Sequence, residues 1–287
     1  MKLINKAVYL EKEGILVISD LHIGYEEVMG TMPRSQFQEI IKDLNLIFNY
    51  IREEIKEIII LGDLKHEFSR NINQEWNEVR KFFSFLREKI GNNKIVLIKG
   101  NHDKFIEIIA SKYDIETRDY YIKNDRAFFH GDKQIFIDKN SVNNNYGTME
   151  GRKARENGEI NLDNCSPNAN NLNSNEQNID LTKQNSKKIE IMKAKNIKTL
   201  FLGHLHPAIR LEENAKREIY KCFLVGKYKP KEIVILPSFF PLIEGSDVLK
   251  EETNLAYEFN LDNFEVYIPD EIKVLNFGKL KTIGRLS

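Results

Sequence analysis

Residues 57–66 read EIIILGDLKH, and the run changes character in a single step. Three isoleucines and a leucine suit a short strand buried on both faces. The strand ends at Gly62 and Asp63, where apolar side chains give way to a polar turn. The same transition recurs in ILVISDLH (15–22), KIVLIKGNHD (94–103), AFFHGD (127–132) and TLFLGHLH (199–206). Helical spacing fills several of the gaps. Ser35 to Ile55 carries Phe37, Ile40, Ile41, Leu44, Ile47, Ile51 and Ile55, and Asn73 to Ile90 carries Trp76, Val79, Phe82, Phe83 and Leu86. Lys188 to Lys195 is a shorter helical candidate. Strand–helix–strand repetition predicts βαβ units and a largely parallel sheet. Hairpins are predicted for AVYL with ILVIS, DYYI with AFF, YKCFLVGKY with EIVILPSF, and EVYIP with IKVLNFG. Together these predict an α/β fold of two packed mixed sheets with helices outside.

One stretch breaks the plan. Residues 140–186 are rich in Asn, Ser, Gln, Lys and Glu and follow neither period. Such composition buries too little apolar surface to offset its ordering entropy. It is expected to be a disordered insertion within a single domain spanning residues 1–287. The chain balances 43 basic against 43 acidic residues, with 41% hydrophobic and 30% charged. That balance gives no general pull toward nucleic acid or anionic lipid. MKLINKAVYLEKEG reaches charge too soon for a secretory leader, and no apolar run spans a bilayer. Cys165 and Cys222 form no CxxC pair and read as free thiols. A cytoplasmic location is expected.

Chemistry concentrates at the strand ends. Asp20 and His22 follow the first, Asp63 the second, Asn101 and His102 the third, His130 the fourth, and His204 with His206 the fifth. Open α/β sheets gather functional groups beyond their carboxyl ends. Five of the six histidines stand in these motifs, and the sixth, His66, lies three residues after Asp63. Glycines 62, 100 and 203 precede ligand-type residues and Gly131 follows His130, where the backbone is expected to turn tightly.

The ordered set D-x-H, G-D, G-N-H-D, H-G and G-H-x-H resembles the calcineurin-like metallophosphoesterase superfamily across all but the Asn-rich stretch. The resemblance implies a four-layer α/β/β/α sandwich with a dinuclear site between the sheets. Asp20, His22, Asp63 and His206 would hold one metal, and Asp63, Asn101, His130 and His204 the other. Such a mixed imidazole, carboxylate and amide set suits manganese, with iron or zinc as alternatives. Two divalent cations about 4 Å apart would acidify a bridging hydroxide and clamp a phosphate.

His102 would stabilise the transferring phosphoryl group or protonate the leaving oxygen, and His66 would partner it. Asp103 stays open between catalysis and loop orientation. SDLHIGYE, GDLKHEF and LPSFFPLIEG resemble the SbcD-related small archaeal phosphoesterases and the DNA-ligase-associated endonucleases. A phosphate-ester substrate, DNA in particular, is therefore expected, without a membrane and with protein partners unspecified. Only about 80 residues follow His206, without the large capping region of full SbcD-type nucleases, so nicking or single-strand cleavage is expected. Lys65, Lys99, Lys104, Arg34 and Arg70 stand near motif loops, either touching phosphates or as solvated surface charge. A small-molecule phosphoesterase and a non-catalytic scaffold of the same fold remain the alternatives.

Overall fold

The computed structural model describes residues 1–30, 35–68, 73–138, 149–150, 188–213, 216–250 and 253–284. It opens as a meander. Strands β1 (Lys2–Ile4), β2 (Ala7–Leu10) and β3 (Ile15–Ile18) pair antiparallel. Strands β4 (Glu57–Leu61), β5 (Lys94–Ile98) and β6 (Glu116–Arg118) then continue the sheet in parallel from β3. The crossovers carry helices α1 (Tyr25–Met29), α2 (Gln36–Tyr50) and α3 (Asn73–Ile90). Alternation along β4 divides its side chains between two cores. Ile58 and Ile60 pack with Ile40, Leu44, Val79 and Phe82 on the helical side, whereas Ile59 and Leu61 face the second sheet.

The remaining strands are β7 (Tyr120–Lys123), β8 (Arg126–Phe129), β9 (Phe136–Asp138), β10 (Met149–Glu150), β11 (Lys188–Glu190), β12 (Thr199–Leu202), β13 (Pro207–Glu213), β14 (Lys216–Lys221), β15 (Phe223–Tyr228), β16 (Lys231–Ile235), β17 (Ser246–Asp247), β18 (Glu265–Asp270) and β19 (Lys273–Lys279). The second sheet runs β10-β7-β8-β12-β16-β15-β18-β19, with β8, β12 and β16 parallel at its centre. The four expected hairpins all form. Between the sheets lies an apolar layer that includes Val17, Ile59, Val96, Phe128, Phe201 and Val234. The outer face of the second sheet is covered by short segments, among them Ile191, Met192, Leu255, Tyr257, Phe259 and the helical turn Leu280–Ile283.

Two local expectations are corrected. Helix α2 stops at Tyr50, and Ile51 turns to extended backbone (φ −78°, ψ 112°). Ile51 and Ile55 remain buried, sealing the base of the helical core from a connector that feeds β4. The 188–195 region is not a helix. Lys188–Glu190 pairs antiparallel with β9 and a 3₁₀ turn follows at Ile191–Lys193. Burial of Ile191, Met192 and Ala194 mimics a helical period, but the edge of β9 supplies the backbone partners. Apart from Met149–Glu150, the Asn-rich segment lies outside the described residues, as do Arg34, Arg70 and Cys165. Among the described residues, no helix is long and apolar enough to cross a membrane.

Candidate metal centre

The parallel strands β3, β4 and β5 of one sheet and β8, β12 and β16 of the other end on the same side of the molecule. Their loops converge there, and all nine sequence-selected residues meet. His206 Nε2 lies 3.2 Å from Asp20 Oδ1 and 3.3 Å from His22 Nε2. His130 Nε2 lies 3.2 Å from Asp63 Oδ2, 3.3 Å from Asn101 Oδ1 and 3.1 Å from His204 Nδ1. Asp63 Oδ2 is also 3.7 Å from His22 Nε2, so this one oxygen faces both groups. Two clusters result, Asp20–His22–Asp63–His206 and Asp63–His130–His204, with a third of His22, His66 and His102 alongside.

The donor set fits divalent cations. Two atoms each about 2.1 Å from one ion lie about 3.0–3.4 Å apart, the range most of these pairs occupy. Asp20 and Asp63 are buried, and among the described residues only imidazoles form ion pairs with them. Buried carboxylates demand positive charge. Without a cation, that charge is a proton: burial opposes it, but Asp63 and Asp20 hold His130 up to about 10. Burial pushes His22 down to about 3 against the pull of Asp63. His130 Nδ1 contacts the Leu61 carbonyl at 2.7 Å, which directs Nε2 at the carboxylate, as an orienting partner does for a metal-binding imidazole.

The backbone is committed to this arrangement. Asp20, His22, Asp63, His204 and His206 all adopt left-handed backbone, φ 46–66°. Asn, Asp and His tolerate that region better than bulkier residues do, and such strain gathers at functional sites. The glycines serve more than tight turning. Gly62 (φ +83°) and Gly131 (φ +114°) are left-handed, but Gly100 and Gly203 are not. A Cβ at Gly100 would sit 2.2 Å from Asp63 Oδ1, and one at Gly203 would sit 2.1 Å from Ser19 Oγ. Those two are needed because the loops touch.

The loop residues are tied to one another. Asp103 accepts from Leu64 N (2.9 Å) and Lys65 N (3.3 Å) through one oxygen and from Gly100 N (3.0 Å) through the other. It ties the GDLKH loop to the GNHD loop, and burial followed by Asp63 pushes it up to about 7. His102 N donates to Asp63 Oδ1 (2.9 Å), and its Nδ1 contacts the His66 carbonyl. The His66 and His102 rings stack with centroids 5.2 Å apart. Burial, then His102, lowers His66 to about 4. Of the two readings open for Lys65, phosphate contact or solvated surface charge, the second is corrected: it is buried, with Nζ bonded to the Glu67 carbonyl. Lys99 pairs with Glu107 at 2.8 Å.

Other contributors escaped the sequence reading. Glu75, in the first turn of α3, accepts from His66 N (2.9 Å) and Glu67 N (2.7 Å). Gln36 Nε2 donates to the His22 carbonyl at 2.7 Å. The Pro237–Pro241 segment, part of the LPSFFPLIEG block, leaves β16 and returns to the site. Phe239 N donates to Ser19 O (2.9 Å) and Phe240 N to Asp20 O (3.1 Å). The Phe240 ring lies 5.4 Å from that of His22 and 4.7 Å from that of Tyr25. Its signal in the sequence was the LPSFFPLIEG block, a Phe-Phe pair flanked by prolines just past a buried strand.

Facing mixed sheets with a histidine and carboxylate centre at their carboxyl ends define a scaffold of metal-dependent phosphoester hydrolases. The sequence matches the calcineurin-like phosphoesterase family over residues 14–268, and the chain belongs to that family. Among solved structures, a nuclease from Pseudomonas putida is 17% identical, with 94% of this chain and 92% of that chain covered at a TM-score of 0.54. That similarity supports the shared fold. A protein of unknown function from Aquifex aeolicus is 23% identical over 40% of this chain and 59% of its own, with a TM-score of 0.28. Vacuolar protein sorting 29 from Cryptosporidium parvum is 12% identical, with coverage of 92% and 97% and a TM-score of 0.34. No curated protein sequence matches significantly.

Proposed function

We propose that the protein is a cytoplasmic, two-metal phosphodiesterase that cleaves DNA as a nuclease, with manganese as its working metal. The observation that carries this is the position of Asp63 Oδ2, 3.7 Å from His22 Nε2 in one cluster and 3.2 Å from His130 Nε2 in the other. Asp20, His22, Asp63 and His206 would hold one ion, and Asp63, Asn101, His130 and His204 the second. Bound cations supply Lewis acidity, acidifying water and neutralising phosphoryl oxygens. The chain supplies orientation and a proton. With His102 Nδ1 committed to the His66 carbonyl, Nε2 faces the centre, 4.0 Å from Asp63 Oδ2. From there it donates to the phosphoryl group or the leaving oxygen. His66, stacked on His102 and tied by Glu75, fixes that ring. The nuclease fold neighbour supports DNA over a small ester, and retention of His102 supports catalysis over scaffolding.

The test strips the protein of metal, restores manganese, and compares bis-p-nitrophenyl phosphate, p-nitrophenyl phosphate, and circular single-stranded and duplex DNA. Diester turnover with DNA cleavage is expected. Asp63→Ala should lose two-metal occupancy, whereas His102→Ala should keep the metals and lose turnover. DNA left intact while small esters turn over would replace the nuclease with a small-molecule hydrolase. Full activity and two metals in Asp63→Ala would refute the site.

A further inference from the structure

A groove of about 370 Å³ lies where the two catalytic loops run out, walled by Asn73, Trp76 and Arg80 of α3 and by Phe105, Ile108 and Lys112 of the segment after GNHD. One wall begins at the helix whose Glu75 holds His66, and the other begins three residues beyond His102. Along the chain the groove thus adjoins both loops that carry His66 and His102. Its volume is within the range that holds one nucleoside-sized ligand.

Its chemistry is specific. Phe105 is 60% exposed and Ile108 63%, offering flat apolar surface to solvent. Phe105 also has φ 64°, left-handed backbone that a bulky residue rarely adopts. Trp76 is 8% exposed, and its indole N–H has no hydrogen-bond partner among the described residues. That nitrogen is shut off from solvent, so Trp76 meets the groove through its apolar ring. Glu107 pairs with Lys99 at 2.8 Å, and Glu78, bonded to the Gln74 amide at 2.9 Å, is not among the residues that line the groove. Among the described residues neither Arg80 nor Lys112 has an ion-pair partner, so both leave the groove positive.

Resting on the phosphodiesterase reading above, we infer that this groove receives an unpaired nucleobase flanking the scissile phosphate of single-stranded DNA. Phe105 stacks on the base beside the Trp76 ring, and Arg80 and Lys112 hold the adjoining phosphates. An aromatic platform beside a positive track is how single strands are gripped without duplex geometry. An alkyl or lipid diester would not use the stacking face.

Trp76 is the only tryptophan, so its fluorescence reports on the groove without turnover. Metal-free protein is titrated with a single-stranded DNA octamer and with an abasic octamer carrying the same phosphates. The normal strand should quench Trp76 and the abasic strand should not. Phe105→Ala should weaken octamer binding by about tenfold or more, given what one stacked base contributes. Phe105→Tyr should restore it. Equal quenching by both strands, or an unchanged Kd in Phe105→Ala, would overturn the base subsite. Bis-p-nitrophenyl phosphate turnover by the manganese-loaded wild type separates the two claims. Turnover without base-dependent quenching sinks the groove and leaves the phosphodiesterase standing, whereas no diester turnover removes both.

Discussion

A methyl group at Gly203 would lie 2.1 Å from Ser19 Oγ and 2.7 Å from Asp20 Oδ2. Since Asp20 also accepts from His204 N, any relaxation moves two candidate ligands together. Gly203→Ala should therefore fold yet lose about 100-fold in kcat with manganese, the scale on which a 1 Å misplacement acts. Wild-type kcat in that variant would show that the loop contact is dispensable. Eight of the nine polar residues were legible because they stand just past the end of an apolar run, where strand burial leaves no packing reason for a histidine or aspartate. His66 was legible only through the resemblance of GDLKHEF. The contact between Gly203 and Ser19 was not legible, because it joins residues 184 positions apart whose proximity exists only after the sheets face each other. Lys65 was misread for the same reason: nothing local says that α3 will cover it.

At the scale of elements, buried β-branched runs announced the strands, whereas helical spacing overran α2 by five residues and misread 188–195. Apolar periodicity reports which side chains are buried, not which backbone carries them. The start of α3 does more than cap a helix. Glu75→Ala would strip the acceptor from the His66 and Glu67 amides, at about 1–3 kcal/mol for each donor left without a partner. We expect kcat to fall with metal stoichiometry intact and Glu75→Gln to restore most of it. Loss of metal in both variants would contradict a role confined to the His66 loop. The Pro237–Pro241 segment is anchored by Lys221 of β14, whose Nζ donates to Ser238 Oγ at 2.8 Å and to the Phe240 carbonyl. Burial, then Lys6, pushes Lys221 down to about 7. Lowering a folded-state lysine pKa means the unfolded chain binds the proton more tightly, so stability rises with pH from about 7 toward 10. One such group contributes at most about 1.4 kcal/mol per pH unit. Urea unfolding at pH 7 and pH 9 should show wild type gaining relative to Lys221→Met, and parallel pH profiles would refute the shift.

Over the whole molecule, the centre draws on both sheets: Asp20, His22, Asp63 and Asn101 from one, and His130, His204 and His206 from the other. A ligand that binds only the folded state stabilises it, by about 2.7 kcal/mol at a hundredfold excess over Kd. For a chain of this size that corresponds to about 5 °C or more in Tm. Manganese should produce this rise in wild type and not in Asp63→Ala, as differential scanning calorimetry would show. An equal rise in both would place the stabilising ion elsewhere. Each His/Asp cluster takes side chains from both sheets, so neither is complete on one sheet alone. The apolar layer between them, with Phe128 and Phe201 stacked at 4.9 Å, consequently acts as the shim that sets the opening of a pair of jaws. Heating should loosen the jaws before it melts either sheet. Metal release should then precede the loss of far-ultraviolet circular dichroism, and thinning the shim with Phe201→Ala should widen that gap.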